Sequence, residues 1–240
     1  MISITNNKAR VGNFTSSEIY HLVTSGKEKG TFGKPALTYI AEKNMERRLQ
    51  RSLSTDTNAR PLIWGRFLES HVFDLLGLEY KLCSQETITH PDYPCWCGSP
   101  DGEKFDEGKT VMDIKCPMTL KSFCQFADCA TIEDIRSEHP DGEKYYWQLV
   151  SNAILTGAKY AELIFYVPYQ SELETIREKT AQYDGDQNAL SWIYYSKDAD
   201  LPYLIDGGFY KNLNIVRFEV PENDKQFLTA RIIEAQKQLK

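Results

Sequence analysis

Apolar and polar positions change period several times along the chain, and each change marks an element. Thr15 to Thr24 carries a helical pattern that runs into Ser25-Gly26-Lys27-Glu28-Lys29-Gly30-Thr31-Phe32-Gly33, whose glycines and charges predict a loop. Pro35 suits the first turn of a helix reaching about Leu53, and a second proline-led helix is predicted from Pro61 to Leu76, stopped by Gly77. Strand-like segments follow at Tyr93 to Phe105 and Thr110 to Cys116, and Asp106-Glu107-Gly108 between them predicts a hairpin. Helical patterns resume over Leu120 to Cys129 and Glu143 to Thr156, the latter closed by Gly157. Ala161 to Val167 is an apolar strand ended by Pro168, Asn214 to Val220 a last strand, and Glu222 to Leu239 a final amphipathic helix. Residues 184 to 212 carry no assignable pattern and read as an insertion. The order predicts a mixed α/β fold.

Composition narrows this further. A chain of 240 residues with 41% hydrophobic content buries one substantial core, so a single domain spanning 1–240 is expected. The longest apolar run, Ala161 to Pro168 with Glu162 inside it, is far short of a membrane span, and the first eight residues lack a secretion signal. A cytoplasmic protein is expected. All six cysteines lie between Cys83 and Cys129 and read as reduced thiols, because a chain of this size needs no disulfide framework. A net charge of −6 argues against coating nucleic acid by charge neutralisation, but leaves room for an acidic, metal-holding site with basic residues clustered elsewhere.

The hairpin concentrates charge. A three-residue loop with glycine in the left-handed position pairs Phe105 with Lys109, which sets Asp101 opposite Asp113 and Ser99 opposite Lys115. Like charges facing each other destabilise a ladder, so a compensating cation is implied; the alternative is a bend beside a solvated strand. Met112, Ile114 and Cys116 point to the other face. On the wheel of the second helix, Leu62, Trp64, Gly65, Leu68, Val72, Phe73, Leu75 and Leu76 form one apolar arc, and Glu69 lies inside it. A buried carboxylate must be protonated, paired, here with Arg66, or bound to a metal.

These residues resemble a known family. Ser99-Pro100-Asp101-Gly102 followed by Asp113-Ile114-Lys115-Cys116-Pro117 is similar to the PD-(D/E)XK signature as phage lambda exonuclease-like enzymes, the viral recombination alkaline exonucleases, carry it. Trp64-Gly65 with Glu69 resembles that family's first acidic helix, Tyr145 with Gln148 a later helix motif, and Arg10 through Glu18 the segment that holds a 5′-phosphate. The segments cover roughly residues 8 to 170; Asp113 stands where lambda-type enzymes often carry glutamate. The resemblance implies a restriction-endonuclease-like fold with a mixed sheet flanked by helices, and a 5′-to-3′ double-strand DNA exonuclease that leaves 3′ tails for recombination. It also implies a trimeric ring, a strand-annealing partner and double-stranded DNA ends as substrate.

On the same resemblance Asp101, Asp113 and the Ile114 carbonyl bind Mg²⁺, or Mn²⁺ in its place, with Glu69 at the same or a second ion. Lys115 then orients the attacking water or helps to deprotonate it, and Gln148 positions the water or the lysine, while Arg10 and Ser17 hold the 5′-phosphate. Thr15-Ser16-Ser17-Glu18 fits a capping box, which would put Ser17 in a helix's anion-favouring first turn; an ordinary cap with a surface arginine is the alternative. Tyr145 either lines the site or packs. Lys43, Arg47 and Arg51, with Arg48 beside them, either track the DNA backbone or form a solvated face balanced by Glu42 and Glu46. Two rival functions stay open: a RecB-like or CRISPR-associated nuclease with a cysteine-bound iron–sulfur cluster, and an inactive DNA-end-binding protein.

Overall fold

The computed structural model describes residues 8–28, 30–53, 59–83, 87–183 and 187–240. The reading of the first seven residues, Lys29 of the glycine-rich loop and residues 184–186 of the unassigned stretch lie outside these. The chain runs β1 (Phe14–Thr15), a 3₁₀ helix (Ser16–Val23), α1 (Lys34–Leu49), α2 (Arg60–Leu75), β2 (Tyr80–Leu82), β3 (Ile88–Thr89), β4 (Trp96–Gly98), β5 (Gly102–Lys104) and β6 (Thr110–Lys115). It continues through α3 (Leu120–Ala127), α4 (Ile132–Glu138), α5 (Gly142–Thr156), β7 (Tyr160–Tyr166), α6 (Leu173–Ala181), α7 (Gln187–Tyr195), β8 (Leu213–Glu219) and α8 (Glu222–Gln236).

The main sheet has the order β2-β5-β6-β7-β8, with β6 and β7 parallel and the other pairs antiparallel. A parallel pair needs a crossover, and α3 to α5 supply it. Alternation along β6 and β7 sends Val111, Ala161, Leu163 and Phe165 to one face, where they bury against Phe123, Leu149 and Val150. Met112, Ile114, Ile164 and Tyr166 go to the other face, under Trp64, Leu68 and Val72 of α2. Both faces are covered by helices, so the mixed α/β expectation holds.

Several local expectations need correcting. The predicted strand from Tyr93 to Phe105 is two strands. Pro100 has no N–H to give a ladder, and around it β4 joins β1 and β3 in a small separate sheet while β5 enters the main one. The segment after Thr15 is a 3₁₀ helix without the expected capping box: the Thr15 N–H donates to the Tyr39 hydroxyl at 2.9 Å, and Glu18 turns to His21 at 3.2 Å. The buried face of α2 is Trp64, Phe67, Leu68, His71 and Val72, whereas Leu62 and Leu75 are exposed, so the arc is rotated from the one the wheel selects. Within the unassigned stretch, α7 packs on α6 and buries Leu190 and Ile193 in the α2-side core.

Arg231 of α8 ties the segment around the 3₁₀ helix to the C-terminal helix. It is buried, donates to the carbonyls of Leu22, Thr24, Gly30 and Thr31, and stacks 3.8 Å from the centre of the Phe32 ring. The guanidinium spreads its N–H donors over a planar fork that reaches four separated carbonyls, whereas an ammonium has three donors grouped on one atom. Arg231→Met is expected to lower unfolding stability by about 3 kcal/mol, because it leaves these acceptors unsatisfied. Chemical denaturation should show that Arg231→Lys recovers less than half of that loss.

Candidate active site

The hairpin register is the expected one. Gly102 pairs with Met112, Glu103 with Val111 and Lys104 with Thr110, which sets Asp101 opposite Asp113 one step past the last paired residues. The turn itself differs. Phe105 and Lys109 do not pair: Lys109 takes a left-handed conformation beside Gly108, with φ of 52° and 96°, and the Phe105 N–H donates to the Glu79 carbonyl. The loop gains one residue on each side of the predicted three, so parity survives and the side chains keep their faces.

Asp101 is anchored across the hairpin, where its Oδ2 accepts the Ile114 N–H at 2.7 Å. Burial, then the negative charges of Asp113 and Glu69, push its pKa well above the ordinary carboxylate range, against the pull of Lys115 and the Ile114 N–H. Asp113 is 1% exposed. Its Oδ1 accepts the Gln148 Nε2 of α5 at 2.7 Å; its Oδ2 lies 2.5 Å from the Lys115 ammonium, yet has no aligned hydrogen bond. Burial alone would lower the Lys115 pKa, but attraction to Asp113 and Asp101 outweighs it and raises it, so the lysine is a cation. The same ammonium stands 5.1 Å from the centre of the Tyr145 ring, and burial raises that phenol's pKa to about 12.

Glu69 comes in from α2. Burial raises its pKa to about 7; Lys115 and Arg66 oppose the rise and Asp113 adds to it. Arg66 is exposed, and among the described ion pairs none joins it to Glu69, so pairing with that arginine does not neutralise the carboxyl. Glu69, Asp101, Ile114 and Gln148 share a cleft of about 270 Å³ with Arg10 and Ser17. Asp113 and Lys115 are not part of its wall. Arg10 donates to the hydroxyls of Ser99 at 3.2 Å and Ser17 at 3.3 Å. Ser99, in turn hydrogen-bonded to Thr87 at 3.2 Å, is a cleft residue that the sequence presents as the start of the Asp101 motif and not as a site residue.

Among the described residues no three His, Cys, Asp or Glu side chains stand in a group that could hold a metal ion as they are. The acidic residues are gathered to one cleft but not closed on one point. What fits a cation is the chemistry of the set: a buried Asp113 oxygen beside the Lys115 ammonium without an aligned hydrogen bond, and carboxyls on Asp101 and Glu69 whose pKa burial and neighbouring negative charge raise. The six cysteines are free thiols.

Neither reading of the basic residues on α1, a track for DNA or a solvated face, describes Lys43 and Arg47. Lys43 is buried and pairs with Glu46 at 2.9 Å, and Arg47 donates to the Gly12 carbonyl at 2.8 Å and the Asn13 side chain at 3.3 Å. Both cations are spent inside the protein. Arg51 is exposed just beyond the end of the helix.

A mixed sheet between helices, with acidic residues and a lysine at the end of a hairpin, is the architecture of a PD-(D/E)XK-type nuclease. The sequence pattern of the YqaJ-like viral recombinase domain matches residues 7–159, and the chain belongs to that family. Among solved structures it is similar to the alkaline exonuclease LHK-Exo from Laribacter hongkongensis, whose complex with dAMP is known. That likeness has 18% identity over 96% of this chain and 91% of that one, with a TM-score of 0.57. A phage-related exonuclease from Haemophilus somnus 129PT is similar at 14% identity, over 94% and 92% of the two chains, with a TM-score of 0.64. No match to a curated protein sequence was found. Family and fold together support a nuclease role. Among the described residues no helix is long and apolar enough to cross a membrane.

The Glu69 shift has a measurable sign. A carboxyl whose pKa is higher folded than unfolded contributes stability at low pH that is lost as pH rises through the folded value of about 7. In protein stripped of divalent ions with EDTA, Glu69→Gln should therefore be more stable than wild type at pH 8, by roughly 3 kcal/mol. The gain should vanish near pH 4.5, and thermal melts across that range check it.

Proposed function

We propose that the chain is a divalent-metal-dependent deoxyribonuclease acting as a 5′-to-3′ exonuclease on double-stranded DNA ends, leaving 3′ single-stranded tails for recombination. The observation that carries this reading is one cleft in which Glu69 and Asp101, with Asp113 alongside, meet an arginine and a serine hydroxyl suited to a phosphate. Asp101, Asp113 and the Ile114 carbonyl would hold Mg²⁺, or Mn²⁺, with Glu69 at the same or a second ion; oxygen donors of this kind suit hard cations. Such ions supply a water of lowered pKa and stabilise charge on the phosphoryl oxygens. Like-charged carboxylates relax apart until a cation arrives, which accounts for a set that is gathered but not closed.

The chain's own groups do the rest. Gln148 spends its amide N–H on Asp113 and keeps its carbonyl oxygen to accept from a water. Lys115 would orient the attacking water with its fixed positive charge, and the Tyr145 ring limits where that ammonium can go. Arg10 offers a terminal phosphate a charge-assisted fork, with Ser17 and Ser99 as hydroxyl donors. On the resemblance to lambda-type enzymes, a trimeric ring, a strand-annealing partner and a cytoplasmic setting complete the proposal.

Digestion of linear duplexes with and without 5′-phosphates tests it. Asp113→Ala should lose cleavage by at least about a hundredfold, and Arg10→Ala should digest phosphorylated and unphosphorylated ends at equal rates. Wild-type digestion by Asp113→Ala would overturn the site.

A further inference from the structure

Arg10 is held in the cleft by little of its own. Among the described residues its two hydrogen bonds go to neutral hydroxyls at 3.2 and 3.3 Å, and no carboxylate pairs with it. Where the guanidinium points therefore depends on the backbone beneath it, a turn closed by the Asn13 N–H on the Arg10 carbonyl at 3.2 Å. Neighbouring α1 side chains grip that turn on both sides of one residue. The Gly12 N–H donates to Glu46 Oε2 at 2.9 Å, and the Gly12 carbonyl accepts from Arg47 Nε at 2.8 Å.

Each half of the grip is itself fixed. Glu46 is 4% exposed, and the same Oε2 takes the Lys43 ammonium at 2.9 Å. Its Oε1 takes the Leu53 N–H at 3.1 Å and the Ser52 hydroxyl at 3.3 Å. Burial alone would raise the Glu46 pKa, but Lys43 and these N–H donors outweigh it and hold the carboxyl below its ordinary range, so it is charged at neutral pH. Arg47 also reaches the Asn13 side chain, whose amide donates to the Ala9 carbonyl at 2.9 Å. Gly12 has φ of +70°, and a Cβ there would fall 2.4 Å from Arg47 Cγ, so only glycine admits the helix this close.

We infer that Glu46 and Arg47 are positioning residues that set selectivity for the 5′-terminal phosphate by fixing the turn that carries Arg10. The inference rests on the proposed reading of Arg10 as the phosphate contact. Its physical content is that an ionised clamp on the two peptide groups flanking one residue converts a surface arginine into a pre-aimed one. Pre-aiming removes an ordering cost from binding, and its loss weakens binding of the group the arginine meets. Ends that lack that group should be indifferent.

The test is steady-state digestion of linear duplexes ending in 5′-phosphate or 5′-hydroxyl, with the full chain carrying Arg47→Lys, Gly12→Ala, the double change Lys43→Met with Glu46→Gln, or Arg10→Ala. Arg47→Lys keeps the charge but loses the fork, and Gly12→Ala pushes the turn off from the other side. Each of the first three variants is expected to lower the ratio of kcat/KM for phosphate ends over hydroxyl ends about tenfold, through KM, the size of one displaced charge-assisted hydrogen bond. Rates on hydroxyl ends should stay within about twofold of wild type. If Arg10→Ala abolishes the ratio while Arg47→Lys and Gly12→Ala keep it, the clamp is wrong and the pocket stands. Activity falling equally on both ends would likewise reduce the clamp to a structural role and overturn it. If Arg10→Ala keeps the ratio, the pocket reading fails first and the clamp falls with it. Should the double variant not fold, the other two decide.

Discussion

Negative charge concentrated where water is scarce is the constraint around which this molecule is built. Asp101 and Asp113 face each other across a hairpin, Glu69 approaches from a helix on the other side of the sheet, and one lysine lies among them. One lysine cannot neutralise three carboxylates, and burial together with the charge left over raises the pKa values of Asp101 and Glu69. Such a set is costly to fold and retains its cost until a cation or a proton arrives. The rest of the structure can be understood as the means of holding that cost in place: two sheet faces covered by helices, a backbone N–H spent on Asp101, and a glutamine amide spent on Asp113.

Elements governed by short-range pattern were legible in the sequence. The hairpin register survived even though its turn was misjudged, since a loop altered by two residues leaves the alternation of faces unchanged. Helices led by proline or closed by glycine fell within a few residues of their expected ends. What was not legible depended on distant partners. The Thr15 N–H is claimed by Tyr39, from a different helix, so a local capping pattern was outcompeted. The buried arc of α2 is chosen by the sheet it covers, and a helical wheel has no knowledge of that sheet. Strands of two or three residues, such as β1 and β3, are too short to show a period at all.

The charged face of α1 shows the same limit for function. Lys43, Glu46 and Arg47 have a spacing that fits both a solvated surface and a track for DNA phosphates, and spacing alone cannot separate these. Burial separates them from both. Lys43 and Glu46 are nearly enclosed, and each charge is matched by another charge or by main-chain groups of the 10–13 turn and the 52–53 segment. A sequence reader could have been alerted by Gly12 alone, since a glycine two residues from a candidate ligand often marks where another element comes close.

Two ways of fixing a functional group therefore coexist in one cleft. The acidic residues at the hairpin are aimed by a sheet, whose ladder leaves the backbone little freedom. Arg10 sits on a turn outside any strand or helix, where the backbone has no ladder to restrain it. A turn of that kind can be made rigid only by spending side-chain bonds on its peptide groups, and those bonds must be buried or water will compete for them. An ionised, enclosed glutamate under a lysine meets both conditions, and a half-buried arginine adds a bond on the opposite side of the same residue, at the expense of two charges drawn inside a chain that already carries an excess of negative ones.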